Sequence, residues 1–167
     1  SPLPPSPLPP PHAPAPPLPP PRGHVSGVIV YLCCADESEA RDLLLSVRLL
    51  YDHFNRRARY PVVIFHDFLN ASHQAGLRDA LGPAAAGTLR LSPLDPSVFS
   101  FPSSMSAEEK VALPRAIRGY GMGYRHMCRF FCGPLFSSAA LAEYEFIWRL
   151  DSDSFLLGAP SADPFLQ

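Results

Sequence analysis

Short apolar runs and an amphipathic segment alternate in the first half of the folded part of the chain. Residues Val25–Leu32 and Val62–His66 are runs of the kind that form strands covered on both faces of a sheet. Between them, Asp36 and Glu39 have the spacing of a capping box at a helix start. Apolar residues then recur at helical spacing, at Leu43, Leu44, Val47, Leu50, Tyr51 and Phe54. Strand, helix and strand in this order predict a parallel, right-handed βαβ unit.

The second half has weaker signals of the same kind, broken by turn residues. In chain order they predict a helix over Ala71–Leu81, a strand over Thr88–Leu91, a surface loop over Ser92–Ser106, a short helix that Pro114 interrupts or kinks, and a final strand over Tyr144–Leu150. Helices and strands alternate throughout. The pattern therefore predicts an α/β domain with a mostly parallel sheet and flanking helices.

Composition divides the chain into a tail and a domain. Thirteen of its 22 prolines fall within Ser1–Pro21, so residues 1–22 are predicted to be a disordered, extended stem or linker of polyproline II type. The alternative is a ligand for SH3 or WW modules, because P-x-x-P occurs there. Residues 23–167 keep enough large apolar residues for a core. The chain has no initiating Met, signal pattern or bilayer-length apolar run, so we expect any membrane anchor to lie upstream.

Charge and cysteine content narrow the function further. The net charge is −1 and no basic block occurs, which argues against a nucleic-acid surface. The four cysteines form two close sets, Cys33–Cys34 and Cys128 with Cys132. Together with His126, the second set has a spacing that a zinc site could use, but structural zinc sites usually show two ligand pairs. Buried free thiols are the favoured interpretation.

Two acids, Asp151 and Asp153, stand one residue apart directly after the last predicted strand. In an open α/β sheet, ligands gather beyond the carboxyl ends of the strands. Two carboxylates placed there repel each other unless a cation joins them, and a hard ion such as Mg²⁺ or Mn²⁺ meets that need. The alternative is a solvated turn in which Ser152 and Ser154 make local hydrogen bonds.

Leu150–Ser154 also resembles the haloacid-dehalogenase phosphatase pattern, in which the first Asp is a nucleophile and the second a general acid. That motif normally follows the first strand of its domain, whereas a whole βαβ region comes first here. A metal-dependent phosphatase using Asp151 is one alternative function. A non-catalytic, truncated paralogue that binds partners through its Pro-rich tail is another.

Other polar residues are candidates for ligand contacts. Arg125 and Arg129 lie four residues apart and so share one face of a predicted helix. Two guanidiniums together favour a phosphate, a buried acid or a pair of structural salt bridges. His126 is predicted to be a packing residue. His66 and Asp67 end the second strand and point toward the same cleft, where Asp67 either touches a nucleotide or forms a turn.

The heptapeptide Tyr124–Phe130 closely resembles the Y-R-H-M-C-R-F block of the fungal α-1,2-mannosyltransferase family, glycosyltransferase family 15. In that family the block is followed by W-R-V-E-P-D, and Trp148–Asp153 stands at a comparable distance. Upstream, Phe54–Arg57 and Tyr60–Asp67 look like the family's F-N-R and Y-P-W-V-F-L-N-D stretches. The resemblance covers roughly Val25 to the C-terminus.

The resemblance implies a GT-A-like (Rossmann-like) domain that uses Mn²⁺, with Mg²⁺ as the alternative, and transfers mannose from GDP-mannose to a glycan acceptor with retention. It also implies a Golgi enzyme, a type II membrane protein in its full-length form. It assigns the metal to Asp151 and Asp153. The nucleotide sugar falls to Tyr124, Arg125, Arg129 and Asp67.

The sequence departs from the family in three places. The family's acidic motif begins with Glu, so Asp151 is one methylene shorter. Cys33-Cys34-Ala35 stands where the family has Ala-Arg-Asn, whose Arg helps to hold the nucleotide. The family's nucleophilic Glu and a further metal-binding His lie well downstream of the acidic motif, beyond Gln167. We therefore expect a domain incomplete at its C-terminus, and a fragment that is inactive by itself.

Overall fold

The computed structural model describes residues 26–34, 36–116 and 119–166. Its centre is a four-stranded, all-parallel sheet in the order β3-β2-β1-β4. The strands are β1 (Gly27–Cys33), β2 (Val62–His66), β3 (Leu89–Pro93) and β4 (Phe146–Arg149). The predicted parallel sheet is confirmed, whereas the Pro-rich segment Ser1–Arg22 lies outside the described residues.

Five α-helices connect the strands within the described residues. They are α1 (Glu37–Leu50), α2 (Arg56–Ala58), α3 (Ala71–Leu81), α4 (Ala107–Ala116) and α5 (Met122–Cys132). A π-helical turn at Tyr51–Asn55 joins α1 to α2, and 3₁₀ turns occupy Gly82–Ala85, Pro96–Phe99 and Pro134–Ser137. The helix α4 continues past Pro114. No described helix has the length and apolar character to cross a bilayer.

The start of α1 has the predicted N-cap at Asp36, whereas Glu39 bonds to the chain before Asp36 instead of completing the predicted capping box. The Asp36 carboxylate accepts hydrogen bonds from the backbone N–H groups of Ser38 and Glu39, at 2.8 and 3.0 Å. These groups have no partner within the helix, so the cap satisfies two of its donors. The Glu39 carboxylate accepts from the backbone N–H of Cys34 at 2.9 Å. The cap thereby joins α1 to the chain just beyond β1.

Both faces of the two central strands, β1 and β2, are covered, as their unbroken apolar runs predicted, whereas β3 and β4 are partly exposed. Alternate residues of β1 point to opposite faces: Ile29, Tyr31 and Cys33 pack with α1 and α3. Val28, Val30 and Leu32 pack on the other side with Phe130 and Phe131 of α5. All of these β1 side chains are at most 6% exposed. The core therefore lies in two layers, and the sheet holds the carboxyl ends of its strands at one edge.

The segment after β4 returns under the sheet. Phe165 is buried against Tyr60, with ring centroids 4.4 Å apart, and lies edge-on to Trp148 at 6.3 Å. The Tyr60 hydroxyl donates to Asp163 at 3.0 Å. This contact fixes the described C-terminal residues against β1 and β2.

Candidate functional site

The chain order of the strands reverses between β1 and β4. To one side of β1 lie β2 and β3, and β4 pairs with its other edge. Such a switch point opens a crevice beyond the carboxyl ends of the two strands, which is where open α/β sheets bind ligands. A cavity of about 580 Å³ lies there. Its walls come from the end of β1, the start of α1, the α5 helix and the turn after β4.

The charged side chains that line this cavity are all acidic. Five carboxylates line it, from Asp36, Glu39, Asp42, Asp151 and Asp153. None of the described residues that line it is a lysine or an arginine. A concave, low-dielectric surface with one sign of charge attracts counter-ions of the other sign. The cavity is therefore suited to a cation, and an anion would enter it only together with one.

The turn that carries Asp151 and Asp153 has a defined geometry. The Ser154 backbone N–H donates to the Asp151 carbonyl at 2.9 Å, and the Asp151 N–H donates to Ser154 Oγ at 3.0 Å. Ser152 Oγ donates to Glu39 Oε1 at 3.0 Å. The local hydrogen bonds of the turn interpretation are thus present. Both acids nevertheless line the cavity, so the turn and a metal site are compatible.

Arg149 contacts the first of the two acids. Its Nε and Nη2 both donate to Oδ1 of Asp151, at 3.0 and 2.7 Å. The guanidinium carbon also lies 3.7 Å from the centre of the Phe131 ring. Because both bonds reach the same oxygen, Oδ2 of Asp151 keeps its lone pairs for a second partner. The contact therefore orients the carboxylate without using both of its oxygens.

The oxygen ligands at this site fit a cation whose coordination is completed by phosphates of the substrate. No group of three His, Cys, Asp or Glu side chains in the described part of the chain is arranged to hold a metal ion. Mg²⁺ is usually bound through one or two carboxylates plus substrate phosphates, and Mn²⁺ favours the same oxygen ligands. The carboxylates of Asp151 and Asp153 supply such a pair. The same result gives no support to the zinc alternative at Cys128 and Cys132.

The predicted nucleotide contacts are distributed unevenly. Tyr124 lines the cavity, and its ring stacks on Tyr120 with centroids 4.2 Å apart. Asp67, Arg125 and Arg129 are outside the lining. Asp67 follows β2 at the same edge of the sheet, and burial, followed by the charge of Glu39, raises the pKa of its carboxyl. The cleft therefore brings together one of the four predicted nucleotide contacts with the two predicted metal ligands.

Arg129 has backbone partners. Its Nη2 donates to the carbonyl of Val98, and also to those of Ser100 at 2.8 Å and Ser97 at 3.5 Å. These carbonyls belong to the turn that carries Phe99, a residue of the cavity wall. These bonds use one nitrogen of the guanidinium and hold the loop against α5. A nucleotide contact of Arg129 stays a prediction.

Two histidines near the sheet are packing groups. The His126 ring lies 6.0 Å from Phe99 and 5.6 Å from Phe101, as predicted for a packing residue. All four cysteines are free, but only Cys33 is buried, so the prediction of buried thiols is wrong for the other three. Burial raises the pKa of Cys33 to about 12. His66 is 5% exposed, and neither ring nitrogen has a hydrogen-bond partner among the described residues. Burial lowers its pKa, so the imidazole is neutral.

Several residues of the cavity wall were not predicted from the sequence. Glu39 was predicted only as part of a helix cap, although its carboxylate joins Cys34 to Ser152. The signal was available, because the cap directly follows β1 at the edge of the sheet where ligands bind. Met127 and Phe131 of α5 also line the cavity. No sequence signal singled these two residues out.

A family model described as glycolipid 2-alpha-mannosyltransferase matches residues 14–158. The probable mannosyltransferase KTR3 of Saccharomyces cerevisiae is 35% identical over 135 residues, which is 76% of this chain and 32% of the relative. Glycolipid 2-alpha-mannosyltransferase 1 of Candida albicans is 27% identical over 130 residues, 74% of this chain and 29% of the relative. The chain thus spans about a third of the length of these curated relatives.

Two solved structures show the same fold. The mannosyltransferase Ktr4p of S. cerevisiae superposes with a TM-score of 0.64 at 21% identity, over 77% of this chain and 32% of that one. The core-mannan synthase A of Aspergillus fumigatus, in its Mn/GDP form, gives 0.61 at 17% identity, over 78% and 36%. The predicted GT-A-like fold is confirmed. Since the family model covers most of the chain, the protein belongs to the glycolipid 2-alpha-mannosyltransferase family.

Proposed function

We propose that this chain forms the metal- and nucleotide-binding part of an enzyme that transfers mannose from GDP-mannose to a glycan acceptor. Family membership supports mannosyl transfer. The fold is shared with a structure of Ktr4p in complex with GDP and with the Mn/GDP form of the A. fumigatus enzyme. The same proposal puts the enzyme in the Golgi lumen, as a type II membrane protein that acts on glycoprotein glycans.

The observation that carries the proposal is the acidic cavity at the switch point. A GDP leaving group is strongly anionic, whereas the described lining offers five carboxylates and no basic side chain. The two charges are compatible only if a divalent cation lies between them. We assign Mn²⁺ to Oδ2 of Asp151 and to the Asp153 carboxylate, with Mg²⁺ as the alternative. When bound, such an ion neutralises the diphosphate as its bond to the sugar breaks.

The surrounding residues have supporting roles in this proposal. Arg149 fixes the orientation of the Asp151 carboxylate through Oδ1. Tyr124 offers an aromatic face at the wall of the cavity, close enough to contact a nucleotide sugar. Arg129 holds the turn that carries Phe99, another residue of the cavity wall. Arg125 and Asp67 stay predicted nucleotide contacts, although neither residue lines the cavity.

The test is Mn²⁺-dependent binding of GDP, measured by isothermal titration calorimetry on the intact chain. Asp151→Asn and Asp153→Asn keep side-chain shape but remove charge, and we expect each to weaken binding by more than about tenfold. Asp79→Asn is the control, because Asp79 is an exposed acid on α3 away from the cavity. Unchanged Mn²⁺-dependent binding in the Asp151→Asn, Asp153→Asn double variant would refute the metal assignment.

Two further measurements separate the alternative functions. Hydrolysis of a generic phosphate ester that depends on Asp151 would favour the phosphatase; the position of the acidic turn after the fourth strand in the chain argues against it. Transfer from GDP-mannose to a mannoside acceptor tests the enzyme itself. Because this chain is expected to be inactive by itself, that assay uses the full-length protein, and a full-length protein that binds Mn²⁺ and GDP but transfers no mannose would support the non-catalytic paralogue.

A further inference from the structure

A relay of buried hydroxyl groups supports the acidic turn from beneath. Ser46 lies in the middle of α1 and is fully buried, and its Oγ donates to the carbonyl of Ser154 at 2.6 Å. The hydroxyl of Tyr31, also fully buried, lies 3.1 Å from the same Oγ. A serine hydroxyl has a single hydrogen, which the carbonyl already accepts, so the Tyr31 hydroxyl is the donor of the second bond.

The relay ends on the residue that holds Asp151. Ser154 donates its N–H to the Asp151 carbonyl at 2.9 Å and accepts from the Asp151 N–H through Oγ at 3.0 Å. Fixing Ser154 therefore fixes the backbone of Asp151 on both sides. Burial raises the pKa of Tyr31 well above its usual value, so the phenol keeps its proton at any physiological pH. The direction of the relay, from Tyr31 through Ser46 to Ser154, is constant.

Core packing alone does not require these hydroxyls. Tyr31 belongs to the buried apolar cluster between β1 and α1, and Ser46 is fully buried on α1. Phenylalanine and alanine would fill nearly the same volume without the cost of burying a polar group. Buried hydrogen-bond networks restrict a structure to one arrangement when every member is satisfied. The hydroxyls thus fix the position of the acidic turn relative to the core.

We propose that Ser46 and Tyr31 are positioning residues that set the metal affinity of the Asp151–Asp153 turn. This inference rests on the proposed function. Neither side chain lines the cavity, so each acts through Ser154. Partners of metal ligands that lie one contact away commonly change metal affinity by about 10- to 100-fold when they are removed.

A second relay of the same kind provides a matched control. Tyr51 is a fully buried tyrosine, and its hydroxyl lies 2.9 Å from Thr88 Oγ1. Thr88 Oγ1 in turn donates to the carbonyl of Ala84 at 2.8 Å. The chemistry repeats that of the first relay: a phenol, a buried hydroxyl and a backbone carbonyl. Thr88 directly precedes β3, so this relay lies at the amino end of the strands, away from the cavity.

The experiment compares the two relays in the intact chain. Ser46→Ala and Tyr31→Phe interrupt the first relay, and Thr88→Val and Tyr51→Phe interrupt the second. Affinity for Mn²⁺ is measured with MnCl₂ at saturating GDP by calorimetry, and stability by urea unfolding. We expect Ser46→Ala to weaken Mn²⁺ binding about tenfold. Tyr31→Phe should have a smaller effect in the same direction, because the bond from Ser46 to Ser154 remains.

The control variants should lose comparable stability and keep wild-type affinity for Mn²⁺. Amide hydrogen exchange at Asp151 and Ser154 adds a local measurement, and it should accelerate only in the first pair of variants. Equal Mn²⁺ affinity in Ser46→Ala, Thr88→Val and the wild type would overturn the inference while leaving the proposed function intact. Equal loss of affinity in all four variants would also overturn it, by showing an effect of general destabilisation.

The two proposals fail in different ways. If the wild-type chain does not bind Mn²⁺ with GDP, the proposed function fails and the inference fails with it. If the wild type binds, Asp151→Asn does not, and both first-relay variants bind normally, only the inference is overturned. A graded loss, in which Ser46→Ala exceeds Tyr31→Phe and both controls stay unchanged, supports it.

Discussion

Gly27 begins β1 at a point where the Phe165 ring fills the space of a side chain. A Cβ placed on Gly27 would lie 2.5 Å from Cδ1 and 2.7 Å from Cε1 of that ring, far closer than carbon atoms pack. The ring has little freedom to withdraw because it packs between Tyr60 and Trp148. We therefore expect Gly27→Ala to overpack this region, at a cost of about 1–3 kcal/mol in the free energy of unfolding.

The size of the effect follows from two opposed contributions. Alanine restricts the unfolded chain more than glycine, which by itself stabilises the fold by roughly 0.4–1 kcal/mol. The net loss in Gly27→Ala is then about 1–2 kcal/mol. Phe165→Ala should cost about 3–5 kcal/mol, because it removes a buried ring. In that background the clash is absent, so Gly27→Ala becomes neutral or stabilising, and the coupling free energy is about 2 kcal/mol, within the range for residues in contact.

The assay is equilibrium unfolding in urea, followed by the fluorescence of Trp148. It is the one tryptophan of the chain, and its ring lies 6.3 Å from that of Phe165. With a urea dependence of roughly 1–3 kcal/mol per molar, a coupling of this size shifts the midpoint by about 1 M. Gly76→Ala, within α3, is the control. Apart from the backbone of its own helix and its chain neighbours, nothing lies within 4 Å of a Cβ at Gly76. We therefore expect this substitution to increase the free energy of unfolding by the same amount with and without Phe165→Ala. Additive effects of Gly27→Ala and Phe165→Ala, within about 0.5 kcal/mol, would refute the proposed contact.

Two other predictions concern side chains near the cavity. Arg129→Lys should lower stability by roughly 1–2 kcal/mol in urea unfolding, because an ammonium cannot reproduce the guanidinium contacts with the carbonyls of Ser97, Val98 and Ser100. Weaker GDP binding with unchanged stability would instead indicate direct nucleotide contact. Burial holds the pKa of His66 below that of the unfolded chain, so the unfolded state binds more protons as pH falls through about 6.5. The free energy of unfolding of the wild type, measured in urea, should therefore decline below that pH, and His66→Asn should reduce the decline. Identical pH profiles of stability for the wild type and the variant would contradict this.

The sequence predicts the sheet and its acidic turn because both depend on local patterns. Strands β1 and β2 are unbroken apolar runs, and α1 has a capped start and a helical repeat, so their types follow from burial and backbone geometry. The position of Asp151 and Asp153 follows from the rule that ligands bind beyond the carboxyl ends of parallel strands. The boundaries are less well predicted: the last strand is Phe146–Arg149, shorter than its apolar pattern suggested.

The partners of polar side chains depend on contacts that a sequence pattern does not contain. The spacing of Arg125 and Arg129 places them on one helix face, but it gives no information about the loop that packs there. The carbonyls that Arg129 contacts lie 29 to 32 residues earlier in the chain. Ser46 is a stronger example, because a serine on the apolar face of α1 suggests only a tolerated small residue. Its partner Ser154 is 108 residues away.

The kind of group that holds the acidic turn is consistent with a site for a cation. Asp151 and Asp153 must stay close despite their mutual repulsion, so the turn needs supports outside the two carboxylates. Ser46 and Ser154 provide them through hydroxyl and backbone groups, which fix position without adding a positive charge that would compete with a metal ion. Arg149 is the charged exception, and its contact with Asp151 is more than a third exposed, where ion pairs contribute little. A divalent ion that approaches Oδ2 of Asp151 would therefore meet a carboxylate already held in place, with most of its charge still available.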